Sequence, residues 1–176
     1  MISKIIASTM RNGLIFGVVL AAIFLLSTTS NDLSVILGNV LFIYSVVMVY
    51  RLTIRFREVE NNGVLKYHHS LAYIATLYLY ASIVSGIVVL IYTKFIHPEF
   101  LALMMNKPEN VQLIEELANA AHVSKNSLRL SLEVLMTPMS YTLQYMWGYT
   151  FMGIFIGAIF SFFTKKSVSN NLEQNK

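Results

Sequence analysis

The chain has 176 residues, of which 56% are hydrophobic and only 12% charged, against about 25% charged in a soluble domain. It has no cysteine, which excludes disulfides, thiolate metal sites and cysteine nucleophiles. The formal net charge of +4 fits a membrane protein with basic cytoplasmic edges, and there is no basic stripe of the kind that marks a nucleic-acid binder.

The charges are not spread evenly. They punctuate four uncharged runs, each long enough for a membrane helix of roughly 17–25 apolar residues. The spacing predicts an all-α polytopic fold, a single four-helix transmembrane domain over 1–176, with spans at 12–30, 33–50, 70–93 and 140–164. Lys4 and Arg11 precede the first span, an arrangement shared with cleavable signal peptides. No small-x-small cleavage site follows, and Asp32 leads straight into the next apolar run. Gly13, Gly17 and Ala21 recur every fourth residue, the small-xxx-small pattern that lets two membrane helices approach closely.

The polar turn Ser27–Asp32 carries no basic residue and is expected away from the cytoplasm. Asn39 lies inside the second span, where an amide calls for a partner on another helix. A polar seam is expected from Asn39, Tyr44 and Tyr80. The linker 51–69 holds Arg51, Arg55, Arg57 and Lys66. Short loops rich in Lys and Arg stay cytoplasmic, so this basic turn sets the sidedness of the chain. It reads as helix running past the membrane and reversing at Asn61-Asn62-Gly63. With Glu58 and Glu60 close by, it is also a candidate surface for anionic headgroups or a cytoplasmic partner.

His68-His69 opens the third span. Neighbouring helical residues point about 100° apart, so these two are read as interfacial polar residues and not as a metal pair. Tyr73, Thr76 and Tyr80 form a polar stripe further in. The segment 94–136 is the one sizeable polar excursion, extracytoplasmic by parity and helical. His97-Pro98 reads as one helix start, Asn106-Lys107-Pro108-Glu109 as a second with Asn106 as its cap, and Ser124 as the cap of a third. Val111, Ile114, Leu117, Ala118 and Ala121 give the middle helix an apolar face for the membrane surface or the bundle mouth. His97 and His122 lack metal-ligand spacing.

The fourth span lies within 134–164, with a kink expected at Pro138. An aromatic belt of Tyr141, Tyr145, Trp147 and Tyr149 marks its outer end. Gly153, Gly157 and Ser161 make a second small-residue face, and Lys165 and Lys166 close the span. The tail from Ser167 is polar and expected to be mobile. On this topology nine basic residues lie inside (Lys4, Arg11, Arg51, Arg55, Arg57, Lys66, Lys165, Lys166, Lys176) and four outside (Lys94, Lys107, Lys125, Arg129), so both termini are expected in the cytoplasm.

Four pieces of punctuation carry a likeness to a known family. These are Arg11–Gly17 entering the first span, Tyr50-Arg51 with Arg55 leaving the second, Gly63 with Tyr67 before the third, and Ile96–Phe100 opening the polar excursion. On these the chain resembles the domain of unknown function 4199 family, small four-span inner-membrane proteins of Bacteroidota. The likeness covers Arg11–Lys166 and rests on span pattern, not on a chemical motif. His68-His69 departs from it. The resemblance implies a fold and a location in the bacterial inner membrane, and it hints at company with envelope glycan or lipid enzymes.

Chemistry within a membrane leaves ionisable residues in the spans, and none lies within the interior of these four. No nucleophile–base pair is present either. The expectation is therefore no enzyme, no catalytic residue, no cofactor and no metal, but an accessory or scaffold subunit. Its partners would be membrane lipids and a membrane protein or a second copy, with no nucleic acid. The alternative is a lipid-binding or lipid-carrier protein that uses the polar aromatic seam.

Overall fold

A computed structural model describes residues 2–29 and 31–166. Seven α-helices follow one another: α1 (Ile2–Thr28), α2 (Asp32–Arg55), α3 (Tyr67–Ile91), α4 (Phe100–Met105), α5 (Pro108–Ala120), α6 (Lys125–Leu135) and α7 (Pro138–Thr164). Single π-helical turns extend α2 through Phe56–Glu60 and α3 through Tyr92–Ile96. No strand is present among the described residues. Four helices, α1, extended α2, extended α3 and α7, are long and apolar enough to cross a membrane. The expected tail and Lys176 lie outside the described residues.

Several ends differ from the sequence expectation. α1 starts at Ile2, ten residues before Asn12, since Lys is a good helix former, and Lys4 Nζ donates to the Glu60 carbonyl at 3.3 Å. Pro138 does not kink a helix but begins one, the position where its missing N–H loses no bond. The Thr137 hydroxyl caps that start, accepting from the Ser140 amide at 3.3 Å. The start of α5 is shifted by one residue. Lys107 takes the cap position without a side-chain bond, and Asn106 Oδ1 instead accepts from Arg129 Nη2 at 2.7 Å.

The chain divides into two compact units. The first comprises the chain through Ser85 and again from Met146. Here α1 and α3 form the interior pair, since 44% of each apolar window is buried against 17% for α2 and α7. Small residues explain the close packing. A Cβ on Gly13 would stand 2.7 Å from Tyr80 Cβ, and one on Gly17 would stand 2.6 Å from Val84 Cβ and 2.8 Å from the Ala81 carbonyl oxygen. On α7, a Cβ on Gly153 would fall on the Tyr78 side chain, and one on Gly157 would meet Leu71 Cδ1 at 3.0 Å. Both glycine faces therefore receive α3, on different sides of that helix, and do not meet each other. Phe16 sets its edge against Tyr78 at 5.0 Å between ring centres. The hydroxyls of Ser82 and Thr150 join α3 to α7 at 3.3 Å.

The second unit is Gly86–Tyr145. Lys125 pairs with Glu115 at 2.9 Å and ties α6 to α5. Ile114 and Ala118 are buried on the apolar face of α5, whereas α6 buries no residue. Met104, Met105, Ile114, Leu117, Leu132 and Met136 enclose much of an apolar cavity of about 250 Å³.

Candidate functional site

The basic linker is a folded structure and not an open turn. After the π-helical turn the chain reverses with Asn62 at φ 54° and Gly63 at φ 76°. Glycine adopts such angles without penalty, and Asn is among the few other residues that do so readily. The Gly63 amide donates to the Arg57 carbonyl at 2.8 Å, and the Asn61 side chain bonds the Val64 carbonyl. Leu65 then pairs with Lys166 in an isolated antiparallel bridge, with N–H to O distances of 3.0 and 2.8 Å.

This reversal carries Arg57 to the end of α7, where its Nη1 donates to the Thr164 carbonyl at 2.9 Å. The last carbonyls of a helix lack intrahelical donors and carry partial negative charge, so a guanidinium there acts as a cap. Glu58 holds Arg57 from the other side at 2.8 Å. The Thr164 hydroxyl meets that of Ser70 at 2.6 Å, and Tyr67 OH donates to the Ala158 carbonyl at 3.2 Å. The start of α3, the linker and the end of α7 are thus clasped together.

A second polar chain runs inward from the same end. Glu60 Oε1 accepts from Arg11 Nη2 at 2.8 Å and from the Ser8 hydroxyl at 3.1 Å. Asn12 Nδ2 donates to Ser8 Oγ at 3.3 Å and to Tyr73 OH at 3.0 Å. Phe56 stacks on the Tyr73 ring at 4.5 Å. The Arg11 side chain is 67% exposed, while Tyr73 is fully buried, so the chain leads from solvent into the α1–α3 interior. Every buried polar group in it has a partner, as the low dielectric requires. The arrangement can bind helices together. No group of three His, Asp or Glu side chains able to hold a metal occurs among the described residues.

The residues singled out in the sequence have these places. Gly13, Gly17 and Ala21 are buried on α1, and Gly153, Gly157 and Ser161 on α7. Ser161 Oγ is the one buried side-chain polar atom without a partner among the described residues. Arg57 is mostly buried in the clasp, whereas Arg51, Arg55 and Lys66 are exposed. The structure does not join Asn39, Tyr44 and Tyr80. Tyr80 packs over Gly13, and Asn39 lies beside Ile23 and Ser27, some ten residues or about 15 Å further along α1. Tyr44 is exposed. His68 and His69 have adjacent rings, 4.1 Å between centres. Sequence reading missed Ser8, Asn12 and Glu60 as members of the polar chain that ends at Tyr73. Ser8 and Asn12 at i, i+4 share one helical face, but nothing local in the sequence pairs that face with Glu60 or Tyr73.

No curated protein and no solved structure matches the chain. One family does, described as Protein of unknown function (DUF4199), over residues 11–166. The match begins at Arg11, whose guanidinium holds Glu60, and ends at Lys166, whose backbone pairs with Leu65, so it takes in the clasp of the linker on α7 and all of the inward polar chain but Ser8. With all but ten residues at each end matched, the chain belongs to the DUF4199 family.

Proposed function

We propose that this protein is a non-enzymatic integral inner-membrane protein, a scaffold or accessory subunit that packs against a membrane partner, with both termini cytoplasmic. The observation that carries this reading is a division of labour between groups. The polar side chains of the α1–α3 interior are consumed in holding the bundle together, while α2 and α7 turn large apolar side chains outward, among them Ile36, Ile43, Phe155 and Phe163. A protein whose polar groups serve its own fold and whose outer faces are apolar acts through what it packs against. In lipid such packing depends on van der Waals contact and interhelical hydrogen bonds. The excess of basic residues at the clasped end supports the orientation. An envelope glycan or lipid enzyme is the partner class that fits an inner-membrane accessory of this kind.

The test is mild extraction of the tagged protein from native membranes, followed by mass spectrometry of proteins and lipids. A stoichiometric membrane-protein companion, or a second copy, is expected. Recovery of a monomer with one stoichiometric lipid and no protein would replace the scaffold with a lipid carrier.

A further inference from the structure

Asn39, like the buried Ser161 hydroxyl, is a polar group of the first unit that its own fold leaves unanswered, and it is the one turned outward. It lies six residues past Leu33, about 9 Å along the helix at 1.5 Å per residue, inside the apolar run of α2. It is exposed and makes no hydrogen bond among the described residues. Beside it Val35, Gly38 and Phe42, with Ile23 and Ser27 of α1, line an open groove of about 210 Å³. The missing side chain of Gly38, whose Cα faces Leu26, leaves that groove its floor.

An amide without a partner in hydrocarbon is strongly disfavoured. Lipid tails bring no donor or acceptor to that depth, so the partner is a protein group. An amide carries two donors and an acceptor, which makes it complementary to a copy of itself. Val35, Asn39, Phe42 and Val46 are spaced four, three and four residues apart, the alternation that keeps one seam facing a parallel neighbour. A two-fold axis along the membrane normal brings two such helices together parallel and places like residues opposite one another.

We propose that α2 pairs with α2 of a second copy along Val35, Asn39, Phe42 and Val46, the two Asn39 amides hydrogen-bonded to each other across the two-fold axis. This rests on the reading of the chain as a packing subunit and names the chain itself as the partner. Within the seam the Asn39 pair sets register, as a single polar residue does in a coiled coil, and the groove against α1 receives apolar side chains of the facing helix.

The chain has no cysteine, so single thiols report cleanly. Val35→Cys and Phe42→Cys, oxidised in native membranes with copper phenanthroline, should give a disulfide-linked band of twice the chain mass. Tyr44→Cys, exposed on another side of α2, should not. In liposome dilution measured by energy transfer, Asn39→Leu should weaken self-association about threefold to twentyfold, with Asn39→Gln closer to the parent. Asn39 is exposed, so the fold should survive, and an unchanged melting profile would check this. No dimer band from Val35→Cys or Phe42→Cys, equal bands from Tyr44→Cys, or an Asn39→Leu variant that associates as before would each overturn the pairing. A cross-link from these positions to a different protein would overturn the pairing and leave the scaffold reading standing. Absence of any protein neighbour at all would remove both.

Discussion

Gly17 is where the α1–α3 contact is tightest against backbone, and Gly17→Ala tests whether that contact sets stability. The new methyl would lie 2.6 Å from Val84 Cβ and 2.8 Å from the Ala81 carbonyl oxygen. Carbon contacts settle at about 3.5–4.0 Å, so the helices must part by roughly 1 Å locally, and a carbonyl cannot move aside as a side chain can. A gap of 0.5–1 Å forfeits about a quarter to a half of each contact along the seam, and overpacking of this kind costs about 1–3 kcal/mol. Asn12 and Tyr73 lie within the same seam at 3.0 Å, and stretching that bond adds about 0.6–1.7 kcal/mol. Against this stands the helix propensity gain of Ala over Gly, about 1 kcal/mol. The net expectation is a loss of about 1–3 kcal/mol. Gly148 supplies the control, since a Cβ there meets nothing within 4 Å, so Gly148→Ala keeps the propensity gain alone. Unfolding titrations in mixed micelles should place Gly17→Ala below the parent and Gly148→Ala at or above it. Equal midpoints for the two variants would refute the claim that α1 and α3 are held at glycine distance.

Gly153→Ala should destabilise more than Gly157→Ala in the same titration, because the first collides with the Tyr78 side chain near its root, whereas the second meets the movable end of Leu71 at 3.0 Å and Ile74 Cβ at 3.3 Å, contacts that a few tenths of an ångström relieve. Tyr73→Phe removes the acceptor of Asn12 and should lower stability by about 0.6–1.7 kcal/mol, read as a shift in the unfolding midpoint. Arg57→Ala uncaps α7 and should lower stability by about 1–2 kcal/mol, with earlier proteolytic cleavage near Lys165, while Arg55→Ala, exposed and outside the clasp, should do neither. A single cysteine at Asn110 should react with an impermeant thiol reagent in intact spheroplasts and one at Asn62 should not; the reverse pattern would invert the topology.

The four long helices were legible because their apolar runs are uninterrupted for the length a bilayer demands. Their ends were less so. The first span reads from the residue after Arg11, whereas the helix itself begins at Ile2 and carries Lys4 to Glu60, 56 residues away. Pro138 fits a kink and a helix start equally well until the preceding Thr137 is seen to cap it. The small-residue spacing of Gly13 and Gly17, like that of Gly153 and Gly157, announces close approach but not what approaches, and the discovery that one helix, α3, receives both faces needed coordinates. The polar chain was hidden for a related reason. Ser8 to Glu60 and Asn12 to Tyr73 are separated by 52 and 61 residues, and no local pattern encodes such pairs. In a single sequence, Asn12 reads as the polar first residue of a span. It is in fact buried at the contact between two spans.

The Ser82–Thr150 hydroxyl contact has a topological meaning. It makes the chain leave the first unit on α3 and return to it on α7 at one place, so the residues between are an insertion with joined ends. Their length then bears weakly on the rest, since each doubling of a flexible connection adds only about 0.6 kcal/mol of closure entropy. Between the two span helices, residues 97–137 can be lengthened or shortened without disturbing the register of α3 on α7. Variation in length would be expected to collect in residues 97–137, and constancy in the clasped end.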